Sequence, residues 1–304
     1  MSLILASNRK QTMIRDTDQP VPLKDYAVLA MIFILWALNY IAIKISVSEF
    51  PVWTALAIRF AIIVVILVPF VKFPKGQFRS LLLISVALIP GHFGFLFWSI
   101  QNTASVGAIS VIIQLGPAFS VLLAWIFFKD IPGIKRISGL IIGFAGIVFL
   151  FYEPSFFDTL DALLAGVASA FFMGTYMALV RGKDKISPLA IICWSSALGV
   201  PFSLIMALLF EAPIPQTMQA ASIESWLGIV YAAIASSIIA HGSWAWMLRR
   251  QPISFLAPLT LIVPVLAVFA TVTIFDEPLT LHMIIAGLIV LSGMGLITIS
   301  KAYK

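Results

Sequence analysis

The 304-residue sequence is poor in charge. Only 11% of it is Asp, Glu, Lys or Arg, against roughly a quarter in an ordinary soluble domain. So few charges cannot cover a water-facing surface, which excludes a chain that is soluble all round. Cysteine is scarcer still: the single Cys193 excludes an intrachain disulfide and a Cys/His metal cluster, and leaves redox chemistry unsupported. The 13 acidic residues all fall in loops, tails or the ends of apolar runs, and none at the middle of a run. A carrier of small cations needs a carboxylate inside the membrane to offset desolvation of its cargo, so a cationic substrate is disfavoured. An acidic pair, an HxxxH spacing and a Ser-His-Asp set are also missing, which argues against an intramembrane enzyme. No cofactor is implied.

What the chain has in abundance is apolar sequence, 61% of the total. It comes in runs near twenty residues, the length a helix needs to cross about 30 Å of hydrocarbon. Bounded by charge, Pro and Gly, the runs predict helices near 26–46, 53–71, 80–101, 104–128, 134–152, 159–181, 188–209, 225–248, 253–275 and 281–300. The fold class expected is an all-α integral membrane protein of ten transmembrane helices. Of the 19 Lys and Arg, all but Lys44 and Arg59 fall in the termini and alternate loops, while the opposite loops hold Glu49, Glu153, Asp158, Asp161, Glu211, Glu224, Asp276 and Glu277. The positive-inside rule then places both termini in the cytoplasm, with residues 1–25 a polar tail that lacks the apolar core and cleavage site of a secretory signal. The same sorting accounts for the net charge of +6 without a nucleic-acid partner, because the basic residues are spread over short loops.

Residues 114–130 (QLGPAFSVLLAWIFFKD) and 261–277 (LIVPVLAVFATVTIFDE) are alike. At an offset of 147, Pro117 falls on Pro264, Asp130 on Glu277 and Gly146 on Gly293. The chain reads as two five-helix halves, 26–152 and 159–300. Five is odd, so the second half enters the membrane from the opposite face. That is the inverted-repeat arrangement of many secondary transporters, in which one half can exchange conformations with the other and give alternating access. Duplication kept for packing alone is the competing explanation.

The stretch WALNYIAIK, the FP and AIRF that follow it (Trp36 to Phe60), the Pro-centred fourth and ninth spans, and DEPLT at 276–280 resemble the EamA-type transporters of the drug/metabolite transporter superfamily. The likeness runs across all ten spans. Through Asn39, Lys44, Arg59, Gln114, Trp194-Ser195, Trp244 and the APL at 257–259 it is most similar to the bacterial cysteine and O-acetylserine exporters. The resemblance implies an exporter of amino acids or related metabolites in a bacterial inner membrane.

Few groups inside the apolar runs could touch a polar solute. Lys44 and Arg59 would attract a carboxylate, as an amino-acid zwitterion requires. Lys44 has the alternative of snorkelling to the surface and meeting Glu49, and Arg59 that of a structural partner. Trp36, Asn39 and Tyr40 share one arc of the first span, at i, i+3 and i+4. Ser110, Gln114 and Pro117 repeat the theme in the fourth, where proline frees a backbone carbonyl, and Pro264 does so beside Thr260. Ser and Thr can instead bond between helices. Tyr176 occupies the place of Tyr40 in the second half, and Trp194 and Trp244 add aromatic walls. His92 and His241 lie in paired spans, where an imidazole can carry a coupled proton or simply pack, and His282 is structural. The candidate binding residues are thus Trp36, Asn39, Tyr40, Lys44, Arg59, His92, Gln114, Tyr176, Trp194, His241 and Trp244.

Gly139 and Gly143, with Gly287, Gly293 and Gly295, suit close helix packing in the scaffold, and a homodimer contact there is compatible with them. The expected function is alternating-access export of a small neutral or zwitterionic metabolite. Another anionic metabolite is the alternative. A nucleotide sugar would call for more Arg and Lys at its diphosphate than two residues supply.

Overall fold

The computed structural model describes residues 22–129, 131–181, 186–211, 214–251 and 253–299. The expected tail up to residue 21, and Asp130 of the repeat, lie outside them. Every regular element among these residues is helical: α1 (Leu23–Val47), α2 (Val52–Leu67), α3 (Phe78–Val86), α4 (Phe95–Asn102), α5 (Val106–Ile113), α6 (Gly116–Phe128), α7 (Ile134–Phe151), α8 (Leu160–Val180), α9 (Pro188–Phe210), α10 (Ile214–Ala220), α11 (Ile223–Tyr231), α12 (His241–Leu248), α13 (Ile253–Leu259), α14 (Ile262–Phe275) and α15 (Leu281–Ile299). A 3₁₀ turn, Pro154–Thr159, precedes α8. Nine helical stretches among the described residues are long and apolar enough to cross a membrane. The protein is therefore a multi-pass membrane protein. α2 is apolar but has 16 residues, about 24 Å at 1.5 Å per residue.

Two of the long stretches are π-helical at their centres, Ala87–Gly94 between α3 and α4 and Ala232–Ala240 between α11 and α12. In the first, Pro90 has no N–H to give and its ring crowds the preceding turn, so the chain widens around it. In the second the Ser237 hydroxyl donates to the carbonyl of Ala232 at 2.9 Å, across five residues. Two other stretches break. α5 stops at Gln114–Leu115 before α6, and α13 stops at Thr260–Leu261 before α14. Pro117 and Pro264 therefore sit in the first turn of a new helix, where a missing N–H costs little, and not in mid-helix as the sequence led us to expect. Ser110 and Thr260 bond carbonyls of their own helices, Gly107 at 2.6 Å and Ala257 at 2.7 Å. α6 and α14 both end on a left-handed residue, Lys129 (φ 55°) and Asp276 (φ 53°).

The larger of two apolar clusters runs through α1, α2, α4, α5, α8 and α15. Helices pack in pairs: α7 on α15, α2 on α9, α6 on α8, and α1 on both α11 and α14. α7 and α15 meet backbone to backbone. A Cβ added to Gly293 would lie 2.5 Å from Gly143 N and 2.7 Å from Gly139 O.

At the end of the bundle that carries Glu49, four carboxylates each tie one helix end to the start of another. Glu211, after α9, accepts from Trp53 N (2.6 Å), Thr54 N (2.8 Å) and Thr54 Oγ1 (2.7 Å) at the start of α2. Glu277, after α14, accepts from Ser105 Oγ (2.9 Å), Val106 N (2.9 Å) and Gly107 N (3.1 Å) at the start of α5. Glu49 takes Ser222 N (2.7 Å) and Oγ (2.6 Å) before α11, and Glu153 takes Thr280 Oγ1 (2.7 Å) before α15. A helix N-terminus offers unpaired N–H groups and the positive end of its dipole, so an anion is the natural cap. Hydrogen bonds from Ser222 hold the Glu49 carboxyl below the usual carboxylate range. At the other end Asp25, fully buried in the first turn of α1, meets Gln251 Nε2 at 2.7 Å and Arg250 at 3.4 Å.

Candidate functional site

The residue that stands out is Arg59. It lies on α2 with 1% of its surface exposed. Its Nη2 donates to Ser237 Oγ at 3.0 Å, and that hydroxyl passes its own hydrogen to the carbonyl of Ala232. Nε and Nη1 are buried with no acceptor among the described residues. No carboxylate among the described residues pairs with the guanidinium. Three phenyl rings surround it: Phe93 at 4.4 Å from Cζ, Phe97 at 5.5 Å and Phe60 at 5.7 Å. A desolvated cation over an aromatic face gains about 2 kcal/mol, less than the several kcal/mol that removing an ion from water costs. Among the described residues the cation is thus offset by three rings and one hydroxyl and by no carboxylate.

The two π segments frame this cation. Ser237 belongs to the second, and His92 and Phe93 to the first. His92 is buried, with Nδ1 2.9 Å from Ser169 Oγ and 3.2 Å from Ser169 O, while Ser169 Oγ lies 2.9 Å from His92 O. All of these are satisfied together if Nδ1 carries the hydrogen. His241 has the same tautomer, since its Nδ1 lies 2.7 Å from Ser236 O, which can only accept. Trp36 Nε1 sits 3.4 Å from that same Nδ1. An N–H cannot donate to a nitrogen already carrying hydrogen, so the shorter carbonyl bond prevails and Trp36 meets His241 edge to face, with ring centroids 5.2 Å apart. Trp244 closes the wall 5.4 Å from Trp36, and Phe33 packs on both indoles. Arg59 is within electrostatic reach of both imidazoles.

Of the candidates from the sequence, Trp36, Arg59, His92, His241 and Trp244 are brought together in this way. Asn39 is one turn along α1 from Trp36, and its Oδ1 is buried without a donor among the described residues; Tyr40 beside it lies in the core. Lys44 is engaged elsewhere. Its ammonium reaches the carbonyls of Ile100 (3.0 Å) and Thr103 (3.4 Å) at the end of α4, and Glu49 is not its partner. Gln114 is half-buried at the break after α5. Tyr176 and Trp194 pack on a second, smaller cluster of Ile84, Ile186, Ala190 and Ile191, where Phe73 meets Trp194 edge-on at 5.0 Å. His282 stacks on Phe149 at 4.0 Å and reaches its carbonyl at 2.7 Å. The cage of Phe60, Phe93 and Phe97 and the Ser169 contact were missed in the sequence. The i, i+4 spacing of Phe93 and Phe97 was the available signal for the cage.

Two hollows, of about 180 and 270 Å³, are apolar and neither is lined by Arg59. One lies between α5, α14 and α15, the other between α1 and α14. Their rims include Leu288 and Phe269, 63% and 70% exposed, and the polar chemistry lies elsewhere, at Arg59.

The model of the EamA-like transporter family matches residues 25–152 and again 160–299. A probable amino-acid metabolite efflux pump of Salmonella typhimurium is 23% identical, covering 89% of this chain and 93% of its own. Its Escherichia coli namesake is 22% identical over the same shares. An uncharacterized transporter of Archaeoglobus fulgidus is 26% identical, over 90% of this chain and 98% of its own. A solved crystal structure superposes with a TM-score of 0.60 at 18% identity, covering 90% of this chain and 96% of that one, a likeness of fold.

Proposed function

We propose a function on one premise, that this chain belongs to the EamA-like transporter family: it exports a small zwitterionic or neutral metabolite, an amino acid or close derivative, across a bacterial inner membrane. The observation that carries the reading is Arg59, a buried cation with free donors and no acidic partner among the described residues. It is matched to a carboxylate, which would meet it with charge-assisted hydrogen bonds. Trp36 and Trp244 would face the ammonium end with aromatic surface, and the orphaned Oδ1 of Asn39 would accept from it. Tyr40, His92 and His241 complete the wall. Lys44 serves as a helix cap in this reading, and Gln114, Tyr176 and Trp194 line the path farther off. The relatives named as efflux pumps support the direction and the substrate class. Other small carboxylates are the second reading, since a lone guanidinium recognises them equally.

Transport would proceed by alternating access of two inverted halves, 26–152 and 159–300, with α2 and its apolar flank as the tenth crossing. Several features support this. The π segments, the breaks before α6 and α14, and the left-handed ends at Lys129 and Asp276 all recur about 147 residues apart. The packing recurs too: α1 meets the second π segment and α14 as α8 meets the first π segment and α6. By the positive-inside rule the termini are cytoplasmic, and the four carboxylate ties close the outer face. Counterflow of a radiolabelled amino-acid mixture into vesicles holding the purified protein tests the function. Saturable uptake is expected, and its absence across the mixture would refute the assignment.

A further inference from the structure

We propose that the protein is an obligatory exchanger, unable to reorient rapidly unless a carboxylate solute occupies Arg59. The inference rests on the binding role given to Arg59 above and adds the mode of transport. Alternating access passes through a state sealed from both aqueous sides. In the structure the guanidinium has one hydrogen bond among the described residues, to Ser237, with ring contacts offsetting part of the desolvation, and the empty carrier would take it into the sealed state without an anion. Guanidinium does not shed its proton to escape this cost.

Neighbouring groups give no relief. Among the described residues Phe60, Phe93, Phe97 and Ser237 touch the cation, and the imidazoles of His92 and His241 lie within its electrostatic reach. None can supply negative charge. The two imidazoles would only add positive charge on taking up a proton, so a proton cannot stand in for the missing anion. A carboxylate can: it turns the buried ion into a hydrogen-bonded pair, and removing one partner of such a pair is what is strongly unfavourable. The loaded carrier therefore crosses with its guanidinium paired, the ammonium of a zwitterionic solute resting on the indoles and on Asn39, and the empty one meets a higher barrier. Each outward crossing must be followed by an inward crossing with another carboxylate aboard.

The test uses full-length protein in vesicles loaded with a radiolabelled amino-acid mixture. Efflux is measured into plain buffer, into unlabelled amino acids, and into the amides of the same amino acids, which lack the carboxylate. Unlabelled amino acids are expected to speed efflux roughly a hundredfold, the factor set by a barrier difference of a few kcal/mol, and the amides to leave it at the buffer rate. Arg59→Gln should abolish the acceleration, and Arg59→Lys, whose ammonium can shed its proton when buried, should raise efflux into plain buffer and so shrink the acceleration. If Arg59→Gln does not fold, the comparison of acids with amides in the native protein decides alone. Binding of the labelled mixture to detergent-purified protein separates the two claims. Binding with efflux that is equally fast into buffer overturns exchange and leaves the site standing, whereas no binding removes the site and exchange together.

Discussion

The α7–α15 crossing allows one substitution to be tested in two directions on a single helix. Gly293→Ala places a methyl 2.5 Å from Gly143 N, 2.7 Å from Gly139 O and 2.9 Å from Gly143 Cα. All three are backbone atoms, so no side chain can swing aside, and ordinary contact requires the helices to part by about 1 Å, which also forfeits a quarter to a half of the dispersion along the seam. Overpacking of this kind costs typically 1–3 kcal/mol, and with rigid neighbours the upper end applies. Gly287→Ala and Gly295→Ala, on the same helix, meet nothing closer than Val111 Cγ2 at 3.9 Å and Leu261 Cδ1 at 3.7 Å. There the gain in helix propensity, roughly 0.5–1 kcal/mol, should dominate. Thermal unfolding of detergent-purified protein, followed by the monodisperse fraction on gel filtration, should show Gly293→Ala lower by roughly 5–10 °C. The other two should be unchanged or slightly raised. Equal midpoints for the three variants would refute the close approach.

Glu211→Gln keeps one acceptor where the start of α2 offers three hydrogens, and turns an NH₂ toward N–H groups; a loss of about 2–3 kcal/mol is expected in the same assay. Glu49 is held below the usual carboxylate range, so its tie contributes fully above the unfolded carboxyl value and is lost as pH falls through the folded one. The thermal midpoint of the native protein should drop more on acidification than that of Glu49→Gln, and parallel curves would show that the tie contributes nothing. Lys44→Gln should lower the midpoint, by about 1 kcal/mol of lost capping at α4, while amino-acid binding stays as in the native protein. A weakened affinity there would restore Lys44 to the site.

The apolar runs made the helices legible nearly to their ends. The runs at 188–209 and 134–152 correspond to Pro188–Phe210 and Ile134–Phe151, because burial in hydrocarbon sets both the composition and the length. What escaped is local geometry that hydropathy does not encode. The π segment at Ala232–Ala240 has no proline to mark it, and its signature is one hydroxyl bonded five residues back. Pro117 and Pro264 announced an irregularity, yet whether proline bends a helix or begins a new one depends on the turn before it. Glu49, Glu153, Glu211 and Glu277 stand at helix ends as expected, but the helix starts that they tie are 127 to 173 residues away, a pairing that only the folded chain reveals. Arg59 was legible as a costly cation. Its aromatic cage was not, since phenylalanine is common enough here that no single ring signals a role.

The central claim is that Arg59 receives the carboxylate of the transported solute. Equilibrium binding of the labelled amino-acid mixture to purified native protein and to Arg59→Gln tests it most directly, with the amides as competitors. The expected result is affinity weaker by roughly ten- to a hundredfold in Arg59→Gln, the worth of a charged hydrogen bond, and amides that compete poorly with the native protein. Equal affinity in both proteins, or amides that compete as well as the acids, would contradict it.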